Sequence, residues 1–227
     1  MNKTKKLVIV GAGETAEIAY EYFTVDSEYE VVSFAVDRQF IANNSIAGLP
    51  VTPLDELELK FPPSDYWAFA AASSTKLNRV RSHLYAQAKS KKYRIASYIS
   101  SKAFAWRNVQ IGENCFIFED NTIQPFVRIG NNVVLWSGNH IGHNSTIQDN
   151  CFLSSHVVIS GFCNIGESSF LGVNSTIINN INIGKDCFIG AGALIQKDVP
   201  SGSVLQESST EISKVGSLRL FKIGDGQ

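Results

Sequence analysis

Long apolar runs are missing from this 227-residue chain. None approaches the roughly 20 residues that a bilayer-spanning helix requires, so a membrane protein is not expected. Strong charge is missing as well. Lys and Arg number 20 against 21 Asp and Glu, a net charge of −1, which removes the electrostatic case for nucleic acid or an anionic membrane surface. The 4 cysteines include no CxxC pair, so neither a disulfide framework nor a zinc site is expected from them. The opening MNKTKKLVIVGAG is basic and then apolar, but its apolar part is short and runs directly into a strand-and-glycine-loop pattern. It is therefore not read as a secretory signal, and a cytoplasmic protein is the expectation.

What the chain does have is a repeat. Residues 97–204 fall into six rows of 18 without insertion or deletion. Position three reads Ile99, Ile117, Leu135, Leu153, Leu171, Ile189, and position nine reads Ala105, Ile123, Ile141, Ile159, Ile177, Ile195. Position fifteen reads Ile111, Ile129, Ile147, Ile165, Ile183 and then Ser201. A spacing of six fits neither a helix of period 3.6 nor a half-buried strand of period 2. It is the signature of hexapeptide repeats wound into a parallel β-helix, three repeats closing one triangular coil. Each aliphatic residue then points into a prism and stacks on its equivalent about 4.8 Å above and below. The cysteines obey the same register. Cys115, Cys151 and Cys187 share position one with Val133 and Ser169, and Cys163 holds the equivalent column of another face. They read as small packing side chains.

The N-terminal third has a different rhythm. The run KKLVIVG ends in the loop Gly11-Ala12-Gly13-Glu14-Thr15-Ala16, and a helical stretch follows with Ala19, Tyr20 and Phe23 on one face. Further strands are expected at VVSFAVD, YWAFAAAS and RIASYI, with a Lys- and Arg-rich helical segment over 76–91. Strand and helix alternating in this way predict a small Rossmann-like parallel α/β sheet, with ligands beyond the carboxyl ends of its strands. The G-x-G-x-x-A loop, with Asp37 24 residues after Gly13, partly fits a dinucleotide fingerprint. Only about 95 residues precede the coils, half of a full two-mononucleotide fold. A single nucleotide or nucleotide-sugar site is the favoured reading, with a purely structural loop and an NAD site as alternatives. Glu14 at the helix start would repel a phosphate placed there. The expected organisation is thus a nucleotide-sugar-binding domain at 1–95, a β-helix at 96–205 and a tail at 206–227.

Three of the 4 histidines, His140, His143 and His156, fall within two coils. Register turns His140 and His143 outward and puts His156 at a turn, while His83 in the N-terminal helical segment is expected to face solvent. An outward imidazole in a cleft between prisms is a natural general base, and backbone N–H groups at coil turns can stabilise an oxyanion. The rival use is zinc. The gamma-class carbonic anhydrases share the prism and need a histidine two coils before a closely spaced pair; Phe104 and Arg107 stand there instead. No metal is expected.

Two segments together, VIVGAGETAEIAYEYF and GNHIGHNSTIQDNCFLSSHVVISG, resemble the acyltransferases that modify sugars for bacterial surface glycans. These are the sialic acid O-acetyltransferases and the bacillosamine-type nucleotide-sugar N-acetyltransferases. The resemblance covers roughly residues 5–204. It implies a left-handed β-helix, a homotrimer with sites between subunits, and acetyl-CoA as co-substrate. It implies His143 as the catalytic base, with Asn144 and His140 beside it. Acyl-CoA would lie along Gly161, Gly172, Gly190 and Ala191, with Lys197 as a phosphate contact. The nucleotide-sugar would touch Gly11, Gly13, Asp37 and the segment Ser73, Ser74, Thr75, Lys76.

The chain departs from the pattern in three places. The bacillosamine-type enzymes carry an acid directly after the histidine, where this chain has Asn144. An asparagine expected earlier in the coil is replaced by Trp136. The tail reads SVLQESSTEISKVGSLRL in place of a Gly-x-Pro-Ala-Lys segment. The resulting expectation is an acetyl-CoA-dependent N-acetyltransferase acting on a UDP- or dTDP-linked amino-dideoxy sugar for lipopolysaccharide or similar glycans, by direct attack in a ternary complex. An O-acetyltransferase on a sugar hydroxyl and a non-catalytic nucleotide-sensing trimer scaffold are the alternatives.

Overall fold

The computed structural model of the protein describes residues 2–206 and 212–222. Its first part is a sheet of strands β1 (Lys5–Val10), β2 (Tyr29–Val36), β3 (Ser45–Ile46), β4 (Leu49–Pro53), β5 (Tyr66–Ala70) and β6 (Arg94–Ile95), in the order β3-β4-β2-β1-β5-β6. All pairs are parallel except the short β3–β4 hairpin at one edge. Central β1 is covered on both faces, so Leu7, Val8, Ile9 and Val10 are all fully buried and the run shows no polar alternation. Helix α1 (Glu14–Val25) packs on one face through Ala16, Ala19 and Phe23. Helices α2 (Leu57–Lys60) and α3 (Arg79–Ser90) cover the other through Leu57 and Ala88. The β3–β4 hairpin was not anticipated. LPVTP carries two prolines, which argue against a strand, and its apolar run is too short to stand out; Pro50 faces only the two-residue β3 and Pro53 ends the pairing with β2.

From Tyr98 onward the chain is the expected coil. Two-residue strands run from β7 (Tyr98–Ile99) to β24 (Val204–Leu205) and stack into three parallel sheets of seven, six and five strands. These form the first, second and third faces of a prism, and each strand pairs with the one 18 residues on, as Phe116 with Val134 and His140 with Val158. Ile117, Leu135, Ile141, Ile147, Leu153 and their equivalents form one buried core, each contributing about 1.5–3 kcal/mol by burial. Corners recur every six residues in the left-handed region, at Asn114, Asp120, Phe126, Asn132, Gly138, Asn144 and so on to Gly192. Asn, Asp and Gly tolerate that conformation best. The cysteine columns do more than fill space. The Cys115 thiol donates to Gly130 O at 3.1 Å, Cys151 to Gly166 O at 3.2 Å and Cys163 to Ile178 O at 3.1 Å, as the Ser169 hydroxyl does to Gly184 O at 3.0 Å. Burial pushes the Cys115 and Cys151 thiols up to about 11 and about 12, which keeps them protonated and unreactive at neutral pH.

The ends depart from the six even rows. At the first coil no layer lies below, so Ile99 is 42% exposed and Ala105 is exposed too. At the last, Ile183 bridges to Val199 rather than Ser201, and Phe188 pairs with Val204, 16 residues on rather than 18. Ser201 is bypassed because the final coil is two residues short. Beyond it Ser217–Leu220 forms one helical turn; the remainder of the tail, 207–211 and 223–227, lies outside the described residues.

The sheet domain sits astride the first face. Outward Tyr98, Phe116, Phe118, Val134 and Phe152 share one buried cluster with Phe23, Phe34 and Phe69. One flank is sealed by Tyr22, whose hydroxyl donates to Glu119 at 2.9 Å. The other is sealed by Arg81, fully buried, which donates to Asn114 O at 2.6 Å and Asn132 O at 2.7 Å. Around it runs an asparagine ladder: the Asn114 amide donates to Asn132 Oδ1 and the Asn132 amide to Asn150 Oδ1, each at 2.7 Å.

Candidate active site

Two arrangements hold the sequence-predicted residues. The first is a cavity of about 430 Å³ at the carboxyl ends of β1, β2 and β5, lined by Gly11, Gly13, Asp37 and Ser73. Gly11 is required by packing: its φ is +139° and an added Cβ would lie 2.1 Å from Ala71 O. Gly13, in contrast, faces open space at the start of α1, where the next backbone N–H groups are available to an oxyanion. Glu14 and Glu17 in the first turn oppose a phosphate there. Of Ser73, Ser74, Thr75 and Lys76, only Ser73 lines the cavity, beside Ala71 and Ala72. The Ser73 and Thr75 hydroxyls bond each other at 2.7 Å, the Ser74 carbonyl accepts the Asn78 N–H, and Lys76 is exposed in a left-handed turn. The sequence reading missed His83, Val80 and Leu84 on α3 and Phe40 after β2, all of which line the same cavity. Their 80-83-84 helical spacing was a usable signal. His83 does reach solvent, as expected, but at the mouth of this cavity.

The second arrangement is on the edge between the second and third faces. His143 is exposed at a corner there, and its backbone N–H donates to Gln124 Oε1 at 2.9 Å. Asn144 at φ +57° brings its amide nitrogen within 3.1 Å of His143 Nδ1. The Phe162 ring meets the imidazole edge to face at 5.0 Å and 89°. One coil above, Gly161 leaves the room the ring occupies: a Cβ there would lie 2.9 Å from both Cε1 and Nε2. The Gly161→Ala variant should therefore keep its fold and displace the imidazole, read as a shifted His143 ring signal in NMR. An unshifted signal would show that residue 161 does not set the ring position.

The predicted cofactor contacts are divided by this geometry. Gly161 and Lys197 continue the His143 edge, with Asn179 between them accepting the Gly161 N–H at 2.9 Å. Gly172, Gly190 and Ala191 belong to the edge between the first and second faces, where an added Cβ at Gly172 would lie 2.6 Å from Ala191 N. His140 lies on the second face between Thr122 and Val158, half-buried. Its neighbour Asn139 is committed to the backbone. It is buried, donates to Trp136 O and accepts from Val157 N at 2.8 Å. Trp136 stacks on Phe118 at 4.5 Å beside the sheet domain, away from His143. Among the described residues no His, Cys, Asp and Glu group could hold a metal ion, and no helix is long and apolar enough to cross a membrane.

Comparison with known proteins first finds a likeness in the coil. Residues 108–141, 127–161 and 162–197 match the family described as bacterial transferase hexapeptide (six repeats), within the stretch that the six-residue spacing marks. Several solved structures then resemble the whole arrangement. The acetyltransferase domain of PglB from Neisseria gonorrhoeae is 23% identical, with a TM-score of 0.80 over 90% of this chain and 97% of that one. A perosamine N-acetyltransferase variant from Caulobacter crescentus, solved with CoA and GDP-perosamine, is 22% identical, with a TM-score of 0.78 over 89% and 93%. WeeI from Acinetobacter baumannii is 20% identical, with a TM-score of 0.65 over 88% and 96%. No curated protein matches the chain. These likenesses establish the shared architecture, a Rossmann-like sheet followed by a left-handed parallel β-helix.

Proposed function

We infer that the protein transfers an acetyl group from acetyl-CoA to the amine of a nucleotide-linked amino-dideoxy sugar, with His143 as base. The observation that carries this reading is where the two halves of the site sit. The glycine-loop cavity belongs to the domain on the first face, while His143 stands on the edge opposite that face. Within one chain the prism separates them. The site is complete only when a second copy brings its cavity to the His143 edge, as in a trimer of prisms. The second face and its neighbouring edge expose Phe104, Trp106, Val158, Ile178 and Leu194, an apolar surface suited to that contact.

The chemistry follows from the edge. The neutral sugar amine attacks the thioester carbonyl, the C–N bond forms, the C–S bond breaks, and the amine proton passes to His143 and on to the departing thiolate. For Nε2 to accept that proton, Nδ1 must carry its own and donate it to Asn144. The imidazolium so formed protonates the thiolate through the same Nε2–H and returns to the Nδ1–H form. The Asn144 amide beside Nδ1 supports that form when its oxygen is turned to the ring, but it carries no charge to stabilise the imidazolium as a carboxylate would. In Asn144→Asp the carboxylate fixes Nε2 as the base, so kcat should rise about threefold to tenfold and the acid limb of the rate–pH profile should move upward. Corner geometry permits the change, since Asp120 and Asp186 already hold such corners. An unchanged profile would remove the orienting role of residue 144.

The decisive experiment for the function is a screen of UDP-, dTDP- and GDP-linked amino sugars with acetyl-CoA, read by free thiol. Thiol release with a sugar hydroxyl as acceptor and none with any amine would assign O-acetylation instead.

A further inference from the structure

The corner column on the His143 edge holds Phe126, Asn144, Phe162 and Asn180 at intervals of 18. Asparagine suits the left-handed backbone of a corner; phenylalanine there is a conformational outlier. Yet Phe126 has φ +66° and Phe162 φ +60°. Burial within the chain does not compensate, because the two side chains are 60% and 56% exposed. They stand two coils apart, about 10 Å, with Asn144 between them and His143 against the Phe162 ring. Strained residues persist where function needs them, and here both flank the proposed base.

We propose that Phe126 and Phe162 form an apolar bracket that selects the deoxygenated edge of the acceptor sugar and presents its amine to His143. This rests on the acetyltransferase reading above. The two rings divide the work by position. Phe162 lies on the Gly161–Asn179–Lys197 side and holds the imidazole edge to face, so it is a positioning residue. Phe126 lies one coil to the other side of His143, away from that ladder, and so marks the acceptor side. A sugar carbon bearing CH₃ in place of CH₂OH packs on an aromatic face without stranding a hydroxyl. An apolar pocket discriminates such pairs about tenfold to a hundredfold.

The test uses the full-length protein and two acceptors, a 4-amino-4,6-dideoxyhexose and its 6-hydroxy counterpart, each in UDP-, dTDP- and GDP-linked form. Wild type should favour the dideoxy sugar at least about tenfold in kcat/KM. Phe126→Asn places at 126 the residue that the same column holds at 144 and 180, so it should unfold at the same temperature as wild type or higher. Its preference should fall to within about threefold through the sugar KM, with the KM for acetyl-CoA unchanged. Phe162→Asn should lower kcat and alter the rate–pH profile. Discrimination retained in Phe126→Asn, or a change confined to acetyl-CoA KM, overturns the bracket while leaving the acetyltransferase reading intact. So does loss of activity together with loss of the oligomer in light scattering, which would make Phe126 a contact between copies. A wild type that releases no thiol with any acceptor overturns both.

Discussion

His143→Ala should lower kcat roughly 10²- to 10⁴-fold, the usual weight of a general base, with KM for acetyl-CoA little changed. The expectation is sharp because no neighbour of the imidazole can substitute, Lys197 lying three coils further along the edge. Asn144, Asn179 and Gln124 do not titrate, and His140 stands on the second face rather than at the corner. His143→Asn should behave like the alanine variant although it keeps a polar group of similar reach, since an amide cannot accept the amine proton. The split between kcat and KM matters as much as the size. A His143 that merely fills space would raise KM for both substrates, and such a result would remove it from the chemistry. Near-wild-type turnover in either variant would do the same.

The second large effect concerns stability. Arg81→Ala should cost about 3 kcal/mol, measured by urea unfolding of the full chain. The guanidinium is buried without a carboxylate partner, and burial pushes it down to about 10, so it remains charged at neutral pH. Its donors serve two corner carbonyls, of Asn114 and Asn132, and its face lies over the Phe69 ring at 5.6 Å. Removing it strands both carbonyls, at about 1–3 kcal/mol each, and leaves a cavity. Relief of the desolvation cost offsets part of that. Arg81→Met refills the volume but not the hydrogen bonds, so it should recover only part of the loss. If alanine costs less than about 1 kcal/mol, Arg81 is not what fastens the sheet domain to the coil.

How much of this was legible beforehand depends on whether a feature repeats. The inward columns were readable because six-residue periodicity leaves a single side-chain direction for each position, and Ile141 and Ile147 lie where their register put them. The outward, exposed place of His143 at a corner was legible for the same reason. Arg81 was not, because its partners are backbone carbonyls 33 and 51 residues away and no local pattern marks such a target. Phe126 and Phe162 are visible as letters in the repeat but not as outliers until the backbone angles are known. The place of Gly161 against the imidazole also needed coordinates, since two neighbouring coils decide it. Gly172, Gly190 and Ala191 were assigned to the cofactor by family resemblance, and the fold puts them on a different edge from His143. The Ser201 exception, in contrast, was a true signal of a shorter last coil.

That shorter coil has a consequence for solubility. A parallel β-helix ends in open strand edges at both ends, and an open edge invites another chain to pair with it. Identical prisms with ends of matching pitch could stack head to tail into fibres. Here one end presents a full 18-residue turn and the other a turn of 16, so a second molecule meeting it could match one face only by missing the others. Two residues fewer in the last turn act as a stop on the thread, leaving the sides of the prism as the surfaces through which copies can meet.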